Sequence, residues 1–458
     1  MRPSLILCSS RSLVHAGVVA AAMTVGAVSL CTTPLYAQSA GRTPADEPTV
    51  QTGDEATAEP DARLSPEEIE RRLELLAAEV EQLRSGEASG RVPLTQQQRQ
   101  VLGLGPSAAS VYAQESGVSF AGYGEMVFQR LGTADERGRR LGADASIDLL
   151  RAIIYTGYRF NDRFLFNSEI EFEHGGEEVA VEFAYLEYRI NQNLSLRGGM
   201  LLVPLGLVNE LHEPNVFIGA LRPETERRII PSTWHENGAG LVGSAGPVTF
   251  RVYAINGLDA AGFTAAGIRG GRQGGAKAKV NDWAFAGRAD VSPMPGVFAG
   301  VGLYQGNSGQ GQFEGTRVGS TIVEVHGQAQ IRGVDVRGLF ARSNIDGAAA
   351  LNAALGHVGP AGIGDTMVGG YGQVAYNLLS QGNSRLSLAP FYRFEKLNTQ
   401  HAVPAGYSTD PALDIQVHVL GVEFKPISNI VLKADYQFTS NKAGSGRDQM
   451  HVALGYAF

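Results

Sequence analysis

The most regular feature of the chain is an alternation of apolar and polar residues with a period of two, which begins near residue 117 and continues to the C-terminus. One segment has Phe164, Phe166, Ile170 and Phe172 against Asn167, Glu169, Glu171 and Glu173. Successive side chains on a β-strand point to opposite faces, so such a segment has one apolar and one polar face. Segments 319–331 and 430–440 repeat the pattern. The pattern therefore predicts strands that separate an apolar environment from a wet one.

Sixteen strands are predicted from this alternation and from the turn residues between them. They lie near residues 117–130, 146–160, 163–174, 178–190, 194–201, 237–243, 247–256, 282–291, 297–305, 319–331, 334–342, 366–378, 385–396, 415–424, 430–440 and 449–458. The connections mostly alternate between short turns and long loops. Alternation alone also fits a soluble half-buried sheet, but an even strand number with long loops on one rim is typical of bacterial outer-membrane barrels.

The fold predicted is an all-β membrane protein, a sixteen-stranded antiparallel transmembrane β-barrel. After residue 37 the chain has no apolar run of the roughly 18 residues that a membrane-spanning helix needs. A bilayer offers no water to an open sheet edge, so the first and last strands are expected to pair. The chain ends in an alternating segment with a terminal aromatic residue, Phe458. This ending resembles the C-terminal recognition strand of outer-membrane proteins.

Residues 1–37 are predicted to be a secretory signal peptide. Arg2, Arg11 and His15 precede an apolar stretch over 18–30, and Ala37 offers a small residue for cleavage before Gln38. A retained membrane anchor is the alternative. Both cysteines of the chain lie in this segment, so the mature protein has no thiol for a disulfide or a thiolate metal site.

Between the leader and the barrel, the sequence predicts a helix flanked by two connectors. Residues 38–64 have too few large apolar groups to fold and are predicted to be a disordered linker. Ser65-Pro66-Glu67-Glu68 is a helix start signal, and a heptad stripe follows it up to Ser85. We expect a periplasmic coiled-coil helix over 65–85; an amphipathic helix lying on the barrel or membrane is the alternative. Residues 86–116 are predicted to be a second flexible linker, before the barrel at 117–458.

The third long connection, residues 202–236, is the candidate pore constriction. Its length, its tryptophan and its prolines favour an ordered segment inside the barrel over a structureless loop. Charged residues within it are candidates for screening solutes: Glu210, His212, Glu213, Arg222, Arg227, Arg228 and Glu236. The alternative is a loop packed across the rim with its charges paired to one another.

This connection also resembles a known family. The phosphate-selective porin O and P family has similar stretches to Pro204-Leu205-Gly206, Asn209-Glu210-Leu211-His212-Glu213-Pro214, Arg222-Pro223 and Ile229-Ile230-Pro231-Ser232-Thr233-Trp234-His235-Glu236-Asn237-Gly238. Later strands resemble it at Pro390-Phe391-Tyr392-Arg393-Phe394-Glu395 and Lys433-Ala434-Asp435-Tyr436-Gln437. The resemblance implies a trimer of sixteen-stranded barrels, an inward third loop and lumen cations that pass anions.

The sequence departs from the family pattern where selectivity is expected. Residues 199–204 are apolar where related sequences commonly have a lysine. Lumen-facing cations are expected at Arg151, Arg197, Arg393 and Lys433, with further candidates at Arg251, Arg288 and Arg337. Guanidinium groups bind phosphate and carboxylate well. Acidic residues share the same faces, so these charges either attract anions or form neutralising pairs that brace the wall.

Other function classes have little support in the sequence. The net charge of −8 disfavours a nucleic-acid binder. No G-x-S-x-G elbow or zinc-protease histidine spacing is present, so the protein is predicted not to be an enzyme and to need no cofactor. A His/Glu metal site in the third loop and a barrel enzyme using His212 or His235 stay open as alternatives. We expect an outer-membrane porin that passes small anions or other hydrophilic solutes, in contact with outer-membrane lipid. A structural barrel plugged by its third loop and tethering periplasmic partners is the alternative.

Overall fold

The computed structural model describes Leu94, Arg99 and residues 101–458 except Ala143, Gly382 and Asn383. The predicted signal peptide at 1–37, linker at 38–64 and coiled-coil helix at 65–85 lie outside the described residues. Among those described, no helix is long and apolar enough to cross a membrane.

Sixteen strands follow one another along the described chain, as the alternation predicts. They are β1 (Gly117–Leu131), β2 (Ala145–Arg159), β3 (Phe164–Glu173), β4 (Glu178–Asn191), β5 (Leu194–Leu202), β6 (His235–Ala245), β7 (Val248–Asn256), β8 (Trp283–Met294), β9 (Val297–Asn307), β10 (Gly319–Ile331), β11 (Val334–Asp346), β12 (Thr366–Tyr376), β13 (Ser387–Ala402), β14 (Asp414–Ile427), β15 (Ile430–Asn441) and β16 (Gln449–Ala457). Two short helices, Glu224–Arg228 and Ala348–Leu355, lie in the connections.

The sheet closes on itself. Every strand pairs antiparallel with its neighbours in the sequence, and β1 pairs with β16 in a register that places Tyr123 opposite Ala457 and Leu131 opposite Gln449. Closure leaves no strand edge with unpaired backbone N–H and C=O groups. The predicted sixteen-stranded antiparallel barrel is confirmed.

The two faces of the wall differ as the period of two requires. On β3, Asn167, Glu169 and Glu171 point inward and are buried, whereas Phe164 points outward and is exposed. The same division holds around the barrel, where outward and exposed side chains include Phe120, Leu186, Phe285, Val301, Phe340, Leu420, Phe438 and Tyr456. An apolar outside with charges inside is the reverse of a soluble protein and is the pattern of a barrel surrounded by lipid.

The connections separate into two rims. One rim has short turns at 160–163, 192–193, 246–247, 295–296, 332–333 and 428–429, together with the longer connection 377–386. The opposite rim has the long loops 132–144, 203–234, 257–282, 308–318, 347–365, 403–413 and 442–448, with a short one at 174–177. The alternation of long and short connections is close to the predicted one.

The core of the described structure lies inside the barrel. Its large buried side chains include inward-facing aromatic residues of the wall, Tyr123, Phe183, Tyr253 and Tyr304, together with Trp234. Residues from the third loop and from the segment before β1 join them in a single hydrophobic cluster. The lumen is therefore occupied largely by protein.

Candidate functional site

The third loop, residues 203–234, folds into the barrel from the long-loop rim. Asn209 holds its base together: the side-chain amide donates to the carbonyl oxygens of Val203 at 2.7 Å and Trp234 at 2.9 Å, and its oxygen accepts the Trp234 N–H at 2.7 Å. Trp234 itself is completely buried. The third loop is therefore an ordered segment inside the barrel, as expected from the sequence.

The tip of the third loop reaches the opposite wall. The Lys433 ammonium on β15 donates to the carbonyl oxygens of Phe217 at 2.8 Å and Gly219 at 2.9 Å and lies over the Phe217 ring. The carboxylate of Asp435 accepts the Ala220 N–H at 2.7 Å. The loop thus spans the lumen from the β5–β6 wall to the β13–β15 wall.

Arg393 on β13 supports the same part of the loop. Its guanidinium pairs with Glu395 at 2.9 Å and donates to the carbonyl oxygen of Leu221 at 3.4 Å. Two cations predicted to face solutes, Arg393 and Lys433, therefore bind the third loop.

Arginines on the β2–β8 side of the wall pair with carboxylates. Arg197 lies 2.7 Å from Glu187, and Arg151 lies 3.4 Å from Glu125 and 3.8 Å from Glu171. Further pairs join Arg251 to Glu210 at 2.9 Å and Arg288 to Asp290 at 2.8 Å. Their geometry matches the alternative interpretation of neutralising pairs that brace the wall.

The segment before β1 lies within the barrel, although the sequence predicts a flexible linker over 86–116. Its turn at Ser110–Ala113 places the Tyr112 hydroxyl 2.7 Å from the Glu187 carboxylate, to which it donates a hydrogen bond. Asn167 donates to the carbonyl oxygen of Ala108 at 2.9 Å, and Arg197 donates to that of Leu102 at 2.9 Å. We call residues 101–114 the inner segment. The sequence does contain one sign that this segment is buried. It has four large apolar or aromatic residues that a solvated linker does not need: Leu102, Leu104, Val111 and Tyr112.

The inner segment and the third loop contact each other at Glu213. One oxygen of this buried carboxylate accepts the backbone N–H groups of Ser107 at 2.9 Å and Ala108 at 3.1 Å. Glu213 thus holds the inner segment against the third loop and does not face a solute. Its neighbour His212 turns the other way, to the carboxylates of Glu169 and Glu182 at 3.1 Å each.

The one-turn helix of the third loop has an inner and an outer side. Glu226 is buried, where it accepts the Tyr371 hydroxyl at 2.6 Å and the Val208 N–H at 2.7 Å. Arg227 and Arg228 both pair with Glu224 at 2.7 Å, and Arg227 is exposed.

Arginines gather above this helix. Arg222 donates to the Thr233 hydroxyl at 3.2 Å, and its Nε and Nη2 atoms have no hydrogen-bond partner among the described residues. Arg269 and Arg272, from the loop after β7, donate to the backbone carbonyl oxygens of Ser232 and Thr233. With Arg227 these residues form what we call the arginine cluster.

Burial and mutual repulsion lower the pKa of two arginines in this cluster. Burial, with the nearby charges of Arg272, Arg222 and Arg227, lowers the pKa of Arg269 to about 9. Burial also lowers the pKa of Arg272. A bound anion relieves both effects, because it supplies hydrogen bonds and opposite charge.

The glycine-rich stretch Gly270–Gly275 belongs to the long loop after β7. The structure folds this stretch onto the third loop, where Glu236 accepts the Gln273 N–H at 2.9 Å. Glu236, at the start of β6, also accepts the Trp234 indole N–H at 3.1 Å and the Asn256 amide at 2.6 Å. It therefore supports the loops and has little free capacity for a solute.

A cavity of about 480 Å³ lies on the other side of the third loop, toward the short-turn rim. Its charged lining includes Arg99, Arg332, two wall cations and two carboxylates. The wall charges are paired: Arg337 with Asp335 at 2.6 Å and Lys425 with Glu423 at 2.8 Å. The cavity and the arginine cluster thus lie on opposite sides of the loop.

Similarity to solved structures concerns the fold. The chain superposes on an anion-selective porin from Comamonas acidovorans with a TM-score of 0.51 at 12% sequence identity, covering 75% of this chain and 100% of the porin. The outer membrane channel DcaP of Acinetobacter baumannii gives a TM-score of 0.47 at 11% identity, covering 74% and 97% of the two chains. The first superposition shows a porin-type barrel.

Sequence comparison gives the family. No family model matches the chain. It is 37% identical over 376 residues to an uncharacterized protein of Aquifex aeolicus, covering 78% of this chain and 83% of that protein. The chain therefore belongs to the same protein family as this Aquifex aeolicus protein.

Proposed function

We propose that the protein is an outer-membrane channel of the porin type, through which small hydrophilic solutes diffuse past the third loop. The single observation that carries the proposal is that this loop crosses the lumen of a closed barrel, between the arginine cluster on one side and a charged cavity on the other. A diffusion channel needs this arrangement: a lipid-facing wall, two wet sides and a narrow part between them.

The location proposed is the outer membrane of a Gram-negative-type bacterium. The exposed apolar belt around the barrel supports it, as does the terminal strand that ends at Phe458. The signal peptide at 1–37 would direct export, and the helix at 65–85 would stand in the periplasm. A homotrimer is part of the proposal because the resemblance to the phosphate-selective porin O and P family implies one.

We propose that the solutes are anions, with phosphate as one candidate. The arginine cluster supports this choice, because it brings several positive charges together beside the third loop and Arg227 is exposed. Guanidinium groups bind phosphate and carboxylate oxygens in pairs. Four wall cations contribute less directly to a preference for anions, since each is in contact with a carboxylate or a backbone carbonyl group: Arg151, Arg197, Arg393 and Lys433.

Uptake into liposomes tests the proposal. Folded protein is reconstituted in vesicles, and swelling rates are compared for uncharged sugars of increasing size and for phosphate against a cation of similar size. We expect swelling that falls with solute size and is faster for the anion. Vesicles that do not swell, although the protein is inserted and folded, would contradict the channel.

A structural barrel is the second candidate. Its specific support is that the inner segment and the third loop together fill much of the lumen. In this alternative the barrel is permanently plugged, and the helix at 65–85 tethers periplasmic partners. A folded protein that gives no permeability, even after the inner segment is removed, would favour this alternative.

A further inference from the structure

Three side chains of the types that bind metal ions meet inside the barrel, at a place that the proposed channel does not use. Glu169 from β3, Glu182 from β4 and His212 from the third loop bring their ligand atoms within 4.8 Å of one another. The His212 Nε2 atom lies 3.1 Å from Glu169 Oε1 and 3.1 Å from Glu182 Oε2. All three side chains are at least 98% buried.

Glu182 reaches this place because of a β-bulge. Glu169 pairs with Phe183 and Ile170 pairs with Val181, so Glu182 is an extra residue on β4. As a result both Glu182 and Phe183 point inward, at 1% exposure each. Bulges re-aim side chains and are common beside functional sites. Without the bulge, regular alternation would place the carboxylate at residue 182 on the lipid side.

The orientation of the imidazole leaves Nε2 as the ligand atom. The Nδ1 atom of His212 lies 2.8 Å from the carbonyl oxygen of Asn209, to which it donates. A histidine held in this way by a backbone carbonyl group presents Nε2 in the geometry found at metal sites.

A single proton on Nε2 does not satisfy both carboxylates. It can point to Glu169 Oε1, but Glu182 Oε2 then has no hydrogen-bond partner among the described residues, and neither has Glu169 Oε2. Unsatisfied carboxylate oxygens at this depth are costly, so such groups usually pair or coordinate a metal. A divalent cation between the three ligand atoms would bind Glu182 Oε2 together with Glu169 Oε1.

Two neighbouring groups, the Arg151 guanidinium and the Tyr123 hydroxyl, lie close to these side chains. The guanidinium of Arg151 is engaged with Glu125 and Glu171. The Tyr123 ring packs edge-on against His212, and its buried hydroxyl has no partner among the described residues.

We propose that Glu169, Glu182 and His212 bind a divalent transition-metal ion, with Zn²⁺ as the best match. Imidazole nitrogen and carboxylate oxygen are both zinc ligands, with bonds of about 2.0–2.2 Å, and three protein ligands leave a position open for water. Two ligand atoms at that distance from one ion, at an angle near a right angle or somewhat wider, lie about 3 Å apart. The His212 Nε2 atom lies at this distance, 3.1 Å, from each of the two carboxylate oxygens. The ion fastens the third loop to β3 and β4. This inference does not depend on whether the barrel conducts.

Metal retention tests the site directly. The folded full-length protein is stripped with EDTA, reloaded with ZnCl₂, dialysed and analysed by elemental mass spectrometry. We expect about one Zn²⁺ per chain and a higher melting temperature with Zn²⁺ than with EDTA, because an ion that binds only the folded state stabilises it. Retention of Mn²⁺ at the same site and stoichiometry would also support the proposal.

Variants distinguish the site from chance binding. Glu182→Gln and His212→Gln are expected to lower the Zn²⁺ affinity about 100-fold or more, since even changes outside the ligand set lower affinity about 10–100-fold. Heat-modified migration on gels verifies that each variant is folded; Glu182→Gln keeps the side-chain shape and decides the matter if His212→Gln misfolds. The control His174→Gln removes a rim histidine that lies 2.6 Å from Asp148 and should retain the ion. Wild-type protein that retains no ion, or a folded Glu182→Gln that retains as much as wild type, overturns the proposal.

Discussion

Glu213 of the third loop accepts the backbone N–H of Ser107 at 2.9 Å, and this hydrogen bond joins the two parts of the chain that fill the barrel. The same oxygen accepts the N–H of Ala108. One part enters the lumen between β5 and β6 and the other precedes β1, so the contact links segments 106 residues apart. How far the lumen is filled therefore depends on both.

Removing the Glu213 carboxylate should release the inner segment. Glu213→Ala leaves two buried N–H groups without an acceptor, at a cost of about 1–3 kcal/mol each. We expect faster maleimide labelling of a cysteine introduced by Ser107→Cys in the Glu213→Ala background than in the parent. Glu314→Ala, which changes an exposed loop glutamate, is the matched control. Equal labelling rates in all backgrounds would show that Glu213 does not hold the segment.

Lys433 should anchor the tip of the third loop. Lys433→Met keeps an unbranched side chain but removes two charge-assisted hydrogen bonds, to Phe217 and Gly219, each of which contributes about 1.5–3 kcal/mol. The expected result is protease cleavage within 203–234 while the barrel remains folded on gels. Lys442→Met, at an exposed rim lysine, should leave the loop resistant. A resistant loop in Lys433→Met would mean that the other contacts suffice.

The arginine cluster should set the preference for anions. Replacing Arg269 and Arg272 with glutamine removes two positive charges above the third loop, so the reversal potential in a KCl gradient should move toward the value for cations. Arg163→Gln, at an exposed arginine of the short-turn rim, is the control and should change little. An unchanged reversal potential in the double variant would place selectivity elsewhere.

The outward face should tolerate charge only near its ends. Phe340 lies in the middle of β11 and Val334 at its start, and both point outward and are exposed. Arginine at the bilayer midplane costs about 2–4 kcal/mol, and near the interface about 0–1 kcal/mol. Phe340→Arg should therefore lower the free energy of unfolding in lipid vesicles by more than Val334→Arg. Equal costs would contradict a lipid-facing belt.

The strands were predictable because one face of the wall meets lipid and the other does not. Apolar and polar residues therefore alternate with a period of two along every strand. Every predicted strand has an observed counterpart, and β10 begins and ends at the predicted residues, 319 and 331. The inward third loop was also predictable, since its length and its tryptophan required an ordered place. In these cases local pattern and tertiary environment agree.

The contacts between side chains and loops inside the lumen were not predictable from the alternation of apolar and polar residues. Arg393 and Lys433 are predicted only to face the lumen, where they attract anions or pair with carboxylates. They bind backbone carbonyl groups of a loop more than 170 residues away, and no sequence periodicity encodes such a contact. Glu182 presents a second limit, because a single bulged residue reverses the face on which a side chain lies. The inner segment presents a third, since its few apolar residues gain burial only once the barrel surrounds them.

Planar-bilayer conductance of the folded protein, compared with a variant that lacks the inner segment (residues 101–114), tests most directly that this barrel is a pore narrowed from within. We expect discrete current steps for the wild type and steps about two-fold larger for the variant, because a sixteen-stranded barrel has a wide aqueous lumen when nothing fills it. Inserted, folded protein that gives no steps in either form would contradict a pore. It would leave a barrel that serves the envelope without conducting.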